Sequence, residues 1–139
     1  MREIEELVAR RAAAVRAGDA EALAADYLPG AVAFTMAPPL AHRGLTDPGS
    51  LRAWFATFAS AVDYEVRELE VVAGGDVAFC HSLNRMSALP SGHPERFVLW
   101  FRSTVCLRRV AGVWRIAHEH TSVPFHMDGS FSAAVGLTP

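Results

Sequence analysis

Ile4, Leu7, Val8, Ala12 and Val15 recur at intervals of three and four, which puts them on one face of a helix, and Gly18 follows as its C-terminal cap. Asp19 opens a second helix, since its side-chain oxygen can accept from a free backbone N–H. Ala22, Leu23, Tyr27 and Leu28 extend that helix until Pro29-Gly30 stops it. Val32, Phe34 and Met36 alternate with smaller residues as a first strand, which Pro38-Pro39 must end because proline offers no N–H to a ladder. Asp47-Pro48 has the signature of a helix start, and Leu51, Trp54, Phe55 and Phe58 give this third helix the largest apolar face in the chain. From Val62 onward the period changes to two. Tyr64 to Ala73, Val77 to Leu89, Phe97 to Arg109 and Val113 to Val123 are predicted strands, divided by turns at Gly74-Gly75-Asp76, Ser91-Gly92-His93-Pro94 and Ala111-Gly112.

Helices gathered first, with a meander of long antiparallel strands after them, make an α+β domain whose helices pack on one face of the sheet. A four-residue turn between Arg109 and Trp114 would set Trp114, Ile116, His118 and His120 on the face of Leu107, Val105 and Ser103. The opposite face would carry Trp100, Arg102, Thr104 and Cys106 beside Ala117, Glu119 and Thr121. Both faces are substantially apolar, so the side that the helices leave open needs a second layer. A homodimer through the sheet is the simplest cover.

The chain of 139 residues is one domain's worth, expected over residues 1–126 with a C-terminal extension over 127–139. With 51% hydrophobic and 20% charged residues it buries a core rather than staying disordered. Thirteen Lys and Arg against fifteen Asp and Glu give a formal net charge of -2, which lacks the basic footprint of a nucleic-acid or anionic-membrane binder. No apolar run approaches the roughly 20 residues of a membrane span, and the N-terminus is acidic rather than signal-like, so a cytoplasmic location is expected. Cys80 and Cys106 lie in hydrophobic stretches without metal-type spacing. They read as buried free thiols, a Cys nucleophile with a His partner being the less common alternative.

The run Gly112-Val113-Trp114-Arg115-Ile116-Ala117-His118-Glu119-His120-Thr121-Ser122-Val123-Pro124 resembles the end of the SnoaL-like group of the nuclear transport factor 2-like (ketosteroid isomerase-like) superfamily. It is also similar to the end of the calcium/calmodulin-dependent kinase association domain. Asp76-Val77-Ala78-Phe79-Cys80, His42-Arg43-Gly44 before the third helix, and the order of elements extend the resemblance over nearly the whole chain. The resemblance implies a cone-shaped barrel: a strongly curved antiparallel or mixed sheet wrapping three N-terminal helices, the long third one above all, with a pocket between and dimers through the sheets. It further implies a small apolar or aromatic metabolite as ligand, and an isomerase- or cyclase-type proton transfer that needs no cofactor. A non-catalytic ligand carrier and a structural association domain are the other functions such a fold serves. Pocket arginines of the kinase association domain fall on Asn84, Thr104 and Thr121, all uncharged here, so a carboxylate-binding pocket of that type is not implied.

In the register given above, Asn84, Arg102, Thr104, Glu119 and Thr121 would point into the cone. A carboxylate in an apolar pocket has its charged form disfavoured and moves toward the range where it can trade protons, while a nearby arginine would hold it ionised. Glu119 is therefore either the acid–base residue or the ion-pair partner of Arg102. Trp54, Phe58, Trp100 and Phe34, with Phe55 and Met36, would form the apolar wall, core and pocket at once. His118 and His120 share a face, and His81 could join them as a metal cluster, but no carboxylate is placed as a further ligand. Hydrogen-bonded histidines and no metal are expected. A bulge in the last strand would instead bring His118 into the pocket as the acid–base group and turn Glu119 toward a partner subunit.

Overall fold

A computed structural model describes residues 1–139. Helix α1 (Arg2–Ala17) buries Ile4 and Leu7, and Gly18 closes it in the left-handed region at φ 65°, where a side chain would be strained. In α2 (Ala20–Ala25) the N-cap Asp19 accepts from the Ala22 N–H at 3.1 Å. This second helix is shorter than its periodicity suggests, because Tyr27 and Leu28 belong to strand β1 (Tyr27–Phe34). Strand pairing wins there. Tyr27 aligns with Ile116, whose N–H donates to the Asp26 carbonyl at 2.8 Å, and Pro29-Gly30 falls in the irregular stretch between Tyr27 and Val32, where proline removes no ladder bond.

Helix α3 (Gly49–Phe55) has only seven residues and none of them is fully buried, so it is not the long helix at the centre of the cone. Asp47 Oδ1 accepts from the Gly49 N–H at 2.9 Å, and the helix is spent within two turns. The helix that the sheet wraps is α1. Ile4 and Leu7 meet Tyr27, Ala31, Ala78, Cys80, Leu107, Trp114 and Ile116 in the main core. Trp54, Phe55 and Phe58 instead close one end, against a second cluster of Val62, Met86, Ala88 and Phe101.

Strands β2 (Asp63–Gly74), β3 (Val77–Ala88), β4 (Phe97–Val110) and β5 (Val113–Ser122) form an antiparallel meander, and β1 joins β5 in parallel. The open mixed sheet has the order β1-β5-β4-β3-β2. Ala111 and Gly112, both at positive φ, make the two-residue turn between β4 and β5. Two bulges decide which side chains face the helices. On β5, Leu107 pairs with Ile116 but Cys106 pairs with His118, so Ala117 is one residue extra and reverses the alternation beyond it. On β2, Arg67 pairs with Leu83 and Glu70 with His81, leaving Glu68, at φ 53°, and Leu69 opposite Ser82. No helix is long and apolar enough to cross a membrane. Beyond β5 the chain turns back so that the Ala134 N–H reaches the Pro124 carbonyl at 2.7 Å and Ala134 is buried.

Candidate functional site

Arg11 stands one turn after Leu7 and two after Ile4, so the apolar face of α1 carries a guanidinium into the interior. Its Nη1 donates to the Leu23 carbonyl at 2.9 Å and to Asp26 Oδ2 at 3.1 Å, while Nη2 donates to the Tyr27 hydroxyl at 3.1 Å. Arg10 holds the other Asp26 oxygen, Oδ1, at 2.8 Å. The Tyr27 hydroxyl in turn donates to Glu119 Oε1 in a short hydrogen bond. Five side chains from α1, the α2–β1 junction and β5 thus form one chain of charge-assisted bonds.

Burial by itself would lower the Arg11 pKa, but Tyr27, Glu119 and Asp26 outweigh it and hold the pKa above its ordinary value. Burial, reinforced by the Glu119 charge, drives the Tyr27 phenol far above its usual range, so Tyr27 remains a proton donor. Glu119 Oε2 makes no hydrogen bond within the chain.

Beside this chain lies a second one. Ser82 Oγ donates to Asn84 Oδ1 at 2.7 Å, and Asn84 Nδ2 donates to the Tyr64 hydroxyl at 2.8 Å. Tyr64 itself donates to no protein atom. Burial pushes its pKa up to about 12; the Asn84 bond lowers it, and the Glu119 charge raises it again, which places the two hydrogen-bond chains within electrostatic reach of each other. The Tyr64 ring packs on Phe101, centroids 6.1 Å apart, in the apolar end of the cone, where Trp54 and Phe58 meet in a T at 5.0 Å. An amphipathic phenol therefore joins the aromatic wall to the polar cluster.

Of the residues singled out from the sequence, Asn84 and Glu119 meet this interior. Thr121 pairs with Ser103 on the same face, and Trp54 and Phe58 belong to the aromatic end. Arg102, Thr104, Trp100 and Phe34 are on the outer face, which corrects the expected register. Their neighbours along β4, Phe101, Ser103 and Leu107, are the buried ones, so the helices cover the Leu107 face. Arg102 donates to Ser122 Oγ at 3.1 Å and is not the partner of Glu119; Arg11, acting through Tyr27, takes that place. Trp100 lies under the Arg67 guanidinium at 5.0 Å, and Phe34 stands edge-on to His118 at 4.7 Å and His120 at 5.6 Å.

The bulge considered for β5 exists, with the opposite consequence: it turns Glu119 inward and His118 outward, where His118 Nδ1 donates to the Val32 carbonyl at 2.6 Å. His81 and His120 flank Thr104 on that same outer face, and no three His, Cys, Asp or Glu side chains converge as a ligand set. Arg11, Asp26, Tyr27 and Tyr64 escaped the sequence reading. The available signal was Arg11, a charge in line with Ile4 and Leu7, because a polar residue on a buried stripe is the informative exception.

A model of the SnoaL-like domain matches residues 4–126. An NTF2-like protein from Pseudomonas putida KT2440 is 32% identical, with 99% of this chain and 94% of that one aligned at a TM-score of 0.86. A scytalone dehydratase-like protein from Novosphingobium aromaticivorans DSM 12444 shares the fold at 16% identity, covering 100% and 95% of the two chains at a TM-score of 0.79. A ketosteroid isomerase-like protein from Erwinia carotovora atroseptica SCRI1043 shares it at 24% identity, covering 86% and 92% at 0.71. The chain matches no curated protein sequence. With the family model spanning α1 through β5, the chain belongs to the SnoaL-like family of the NTF2-like superfamily.

Proposed function

We propose that the protein binds a small, largely apolar or aromatic metabolite in its cone and moves a proton on it, with Glu119 as acid–base residue. One observation carries the reading: Glu119 Oε2 and the Tyr64 O–H, one in each interior cluster, are an acceptor and a donor to which the chain itself gives no partner. An acceptor and a donor of this kind, beside an aromatic wall, suit a neutral ligand that offers an acidic C–H or O–H and a carbonyl oxygen. Glu119 Oε2 takes the proton. As negative charge grows on the carbonyl oxygen, the Tyr64 O–H, backed by Asn84 and Ser82, stabilises it. The same carboxyl returns the proton to another atom of the ligand, so the reaction is an isomerisation or ring closure without a cofactor. Arg11 and Tyr27 keep Glu119 fixed throughout.

The functional unit in this reading is the domain over residues 1–126, acting in the cytoplasm as a homodimer, with 127–139 an extension. Deuterium uptake from D2O into a β,γ-unsaturated cyclic ketone, followed by NMR, tests the chemistry. Wild type should catalyse exchange and Glu119→Gln should lose at least about 10²-fold, the usual worth of general acid–base catalysis, with the fold intact by circular dichroism. Binding of the ketone with no exchange would mean a carrier. Neither binding nor exchange by several such ketones would remove the ligand-binding reading altogether.

A further inference from the structure

Three hydroxyls stand in one row across the inner face of the sheet. Ser82 of β3 pairs with Ser103 of β4, and Ser103 pairs with Thr121 of β5. On β4 the inward residues run Phe101, Ser103, Val105 and Leu107, and on β5, past the bulge, Glu119, Thr121 and Val123. The row thus separates the Glu119 carboxylate from Phe101 and Val123 of the aromatic cluster. Side chains directly opposed on paired strands are about 5 Å apart, and residues two apart on one strand about 7 Å. A ligand of one or two rings therefore reaches from Glu119 to the row.

Ser82 is satisfied, because its Oγ donates to Asn84 Oδ1 at 2.7 Å. Ser103 and Thr121 are not. Neither side chain hydrogen-bonds to any group of the chain, although Ser103 is only 9% exposed and Thr121 half-buried. No buried side-chain oxygen without a partner is sealed from solvent, so the Ser103 hydroxyl stays open to a small molecule. An interior hydroxyl that bonds to nothing in its own chain costs stability, and a bonding partner from outside the chain accounts for its presence.

The charge of the interior sets the class of that partner. Arg11, the one cation there, spends its donors on Leu23, Asp26 and Tyr27. Nothing is left to balance a ligand carboxylate, which the Glu119 charge would also repel. Two facing hydroxyls suit a ligand hydroxyl instead: one accepts its proton while the other donates to its oxygen.

We propose that Ser103 and Thr121 form a subsite of the cone that reads a ligand hydroxyl, selecting neutral ring ketones that carry a second oxygen as a free O–H. The inference rests on the proposed binding of a ring-bearing ketone in the cone, and it adds the group that orients the ring. A site built to bond a ligand hydroxyl discriminates against the analogue that lacks it, because its own polar groups are then left unpaired.

The test compares acetophenone with meta- and para-hydroxyacetophenone, and with meta-acetylbenzoate as the charged control. Dissociation constants come from backbone amide NMR shifts of β4 and β5. On wild type at least one hydroxyl isomer should bind about 10-fold tighter than acetophenone, the worth of one buried hydrogen bond. In the double variant Ser103→Ala with Thr121→Val, nearly the same shape without either hydroxyl, the preference should shrink to about 2-fold or less. The double variant should also unfold at no lower urea concentration than wild type, since the hydroxyls hold nothing within the chain. Acetophenone binding with no gain from either hydroxyl, or a preference that survives in the double variant, would overturn the subsite and leave the proton-transfer reading standing. Tighter binding of the carboxylate would overturn the neutral class. A wild type that binds none of the four would overturn the subsite together with the ligand-binding reading beneath it.

Discussion

Arg11 shows how a single substitution should act on this interior. Removing its side chain takes the only cation away from a contact between Asp26, Tyr27 and Glu119 on the inner side of α1, while Arg10 remains on the outer oxygen of Asp26. Breaking a buried pair by deleting one partner typically costs about 3–5 kcal/mol, because the remaining charge is left without compensation. Arg11→Met keeps the apolar stem and should therefore lower the urea-unfolding free energy by roughly 3 kcal/mol. Glu119→Gln, which retains an acceptor for the Tyr27 O–H, should cost no more than about 1 kcal/mol. Equal losses from the two would mean that Arg11 acts through packing rather than charge. Tyr64 adds a pH dependence whose sign is fixed by its raised pKa. The folded state keeps the phenolic proton more tightly than the unfolded chain does, so this contribution is whole below the unfolded value of 10.0 and is lost as pH rises toward about 12. Wild type should lose roughly 2–3 kcal/mol more than Tyr64→Phe between pH 9.5 and 12, read from urea midpoints at each pH.

Local signals carried the elements whose ends they mark. Asp19 caps α2 as its position before Ala20 suggested, and Asp19→Ala should cost about 1 kcal/mol in thermal unfolding, the usual worth of one such cap. Gly18 closes α1, and the strand periods from Asp63 onward recover the meander. What local pattern could not carry was anything decided by pairing at a distance. Tyr27 fits a helical period equally well, and only Ile116, far along the chain, makes it the first residue of a parallel strand. Phe58 continues the apolar spacing of α3, yet it lies past the end of the helix in a bridge to Pro90. The candidate site shows the same division. Glu119 and Asn84 were legible as polar residues on apolar strands, but the phase of β5 depends on one extra residue, Ala117, which has no distinctive side chain. A period-2 reading that runs through a bulge inverts every residue after it. That is why His118 and Glu119 exchanged faces relative to Trp114, and why Arg102 looked like a partner for Glu119.

At the scale of the whole molecule, one sheet separates two environments: the helix-filled core and the outer face, which no helix covers. The two cysteines report on them separately. Cys80 faces α1 in the main core, and burial, with the neighbouring Cys106 adding to it, pushes its thiol up to about 11. Cys106 pairs with Phe79 and His118 on the other side of the sheet and is only half-buried. A thiol reacts as its thiolate and only when a reagent reaches it, so Cys80 should stay unlabelled by an aromatic disulfide reagent at pH 8 until the protein unfolds. Its labelling rate should follow global stability, accelerating in Arg11→Met by the same factor as the unfolding equilibrium. Cys106 should respond to concentration instead: protected while the outer face is covered, and labelled in the native state on dilution below the dimer dissociation constant. With the single-cysteine variants Cys80→Ala and Cys106→Ala, each signal has one source. Concentration-independent labelling of Cys106 would mean that nothing covers the outer face, and fast labelling of Cys80 in the native state would mean that the core beneath α1 opens without unfolding.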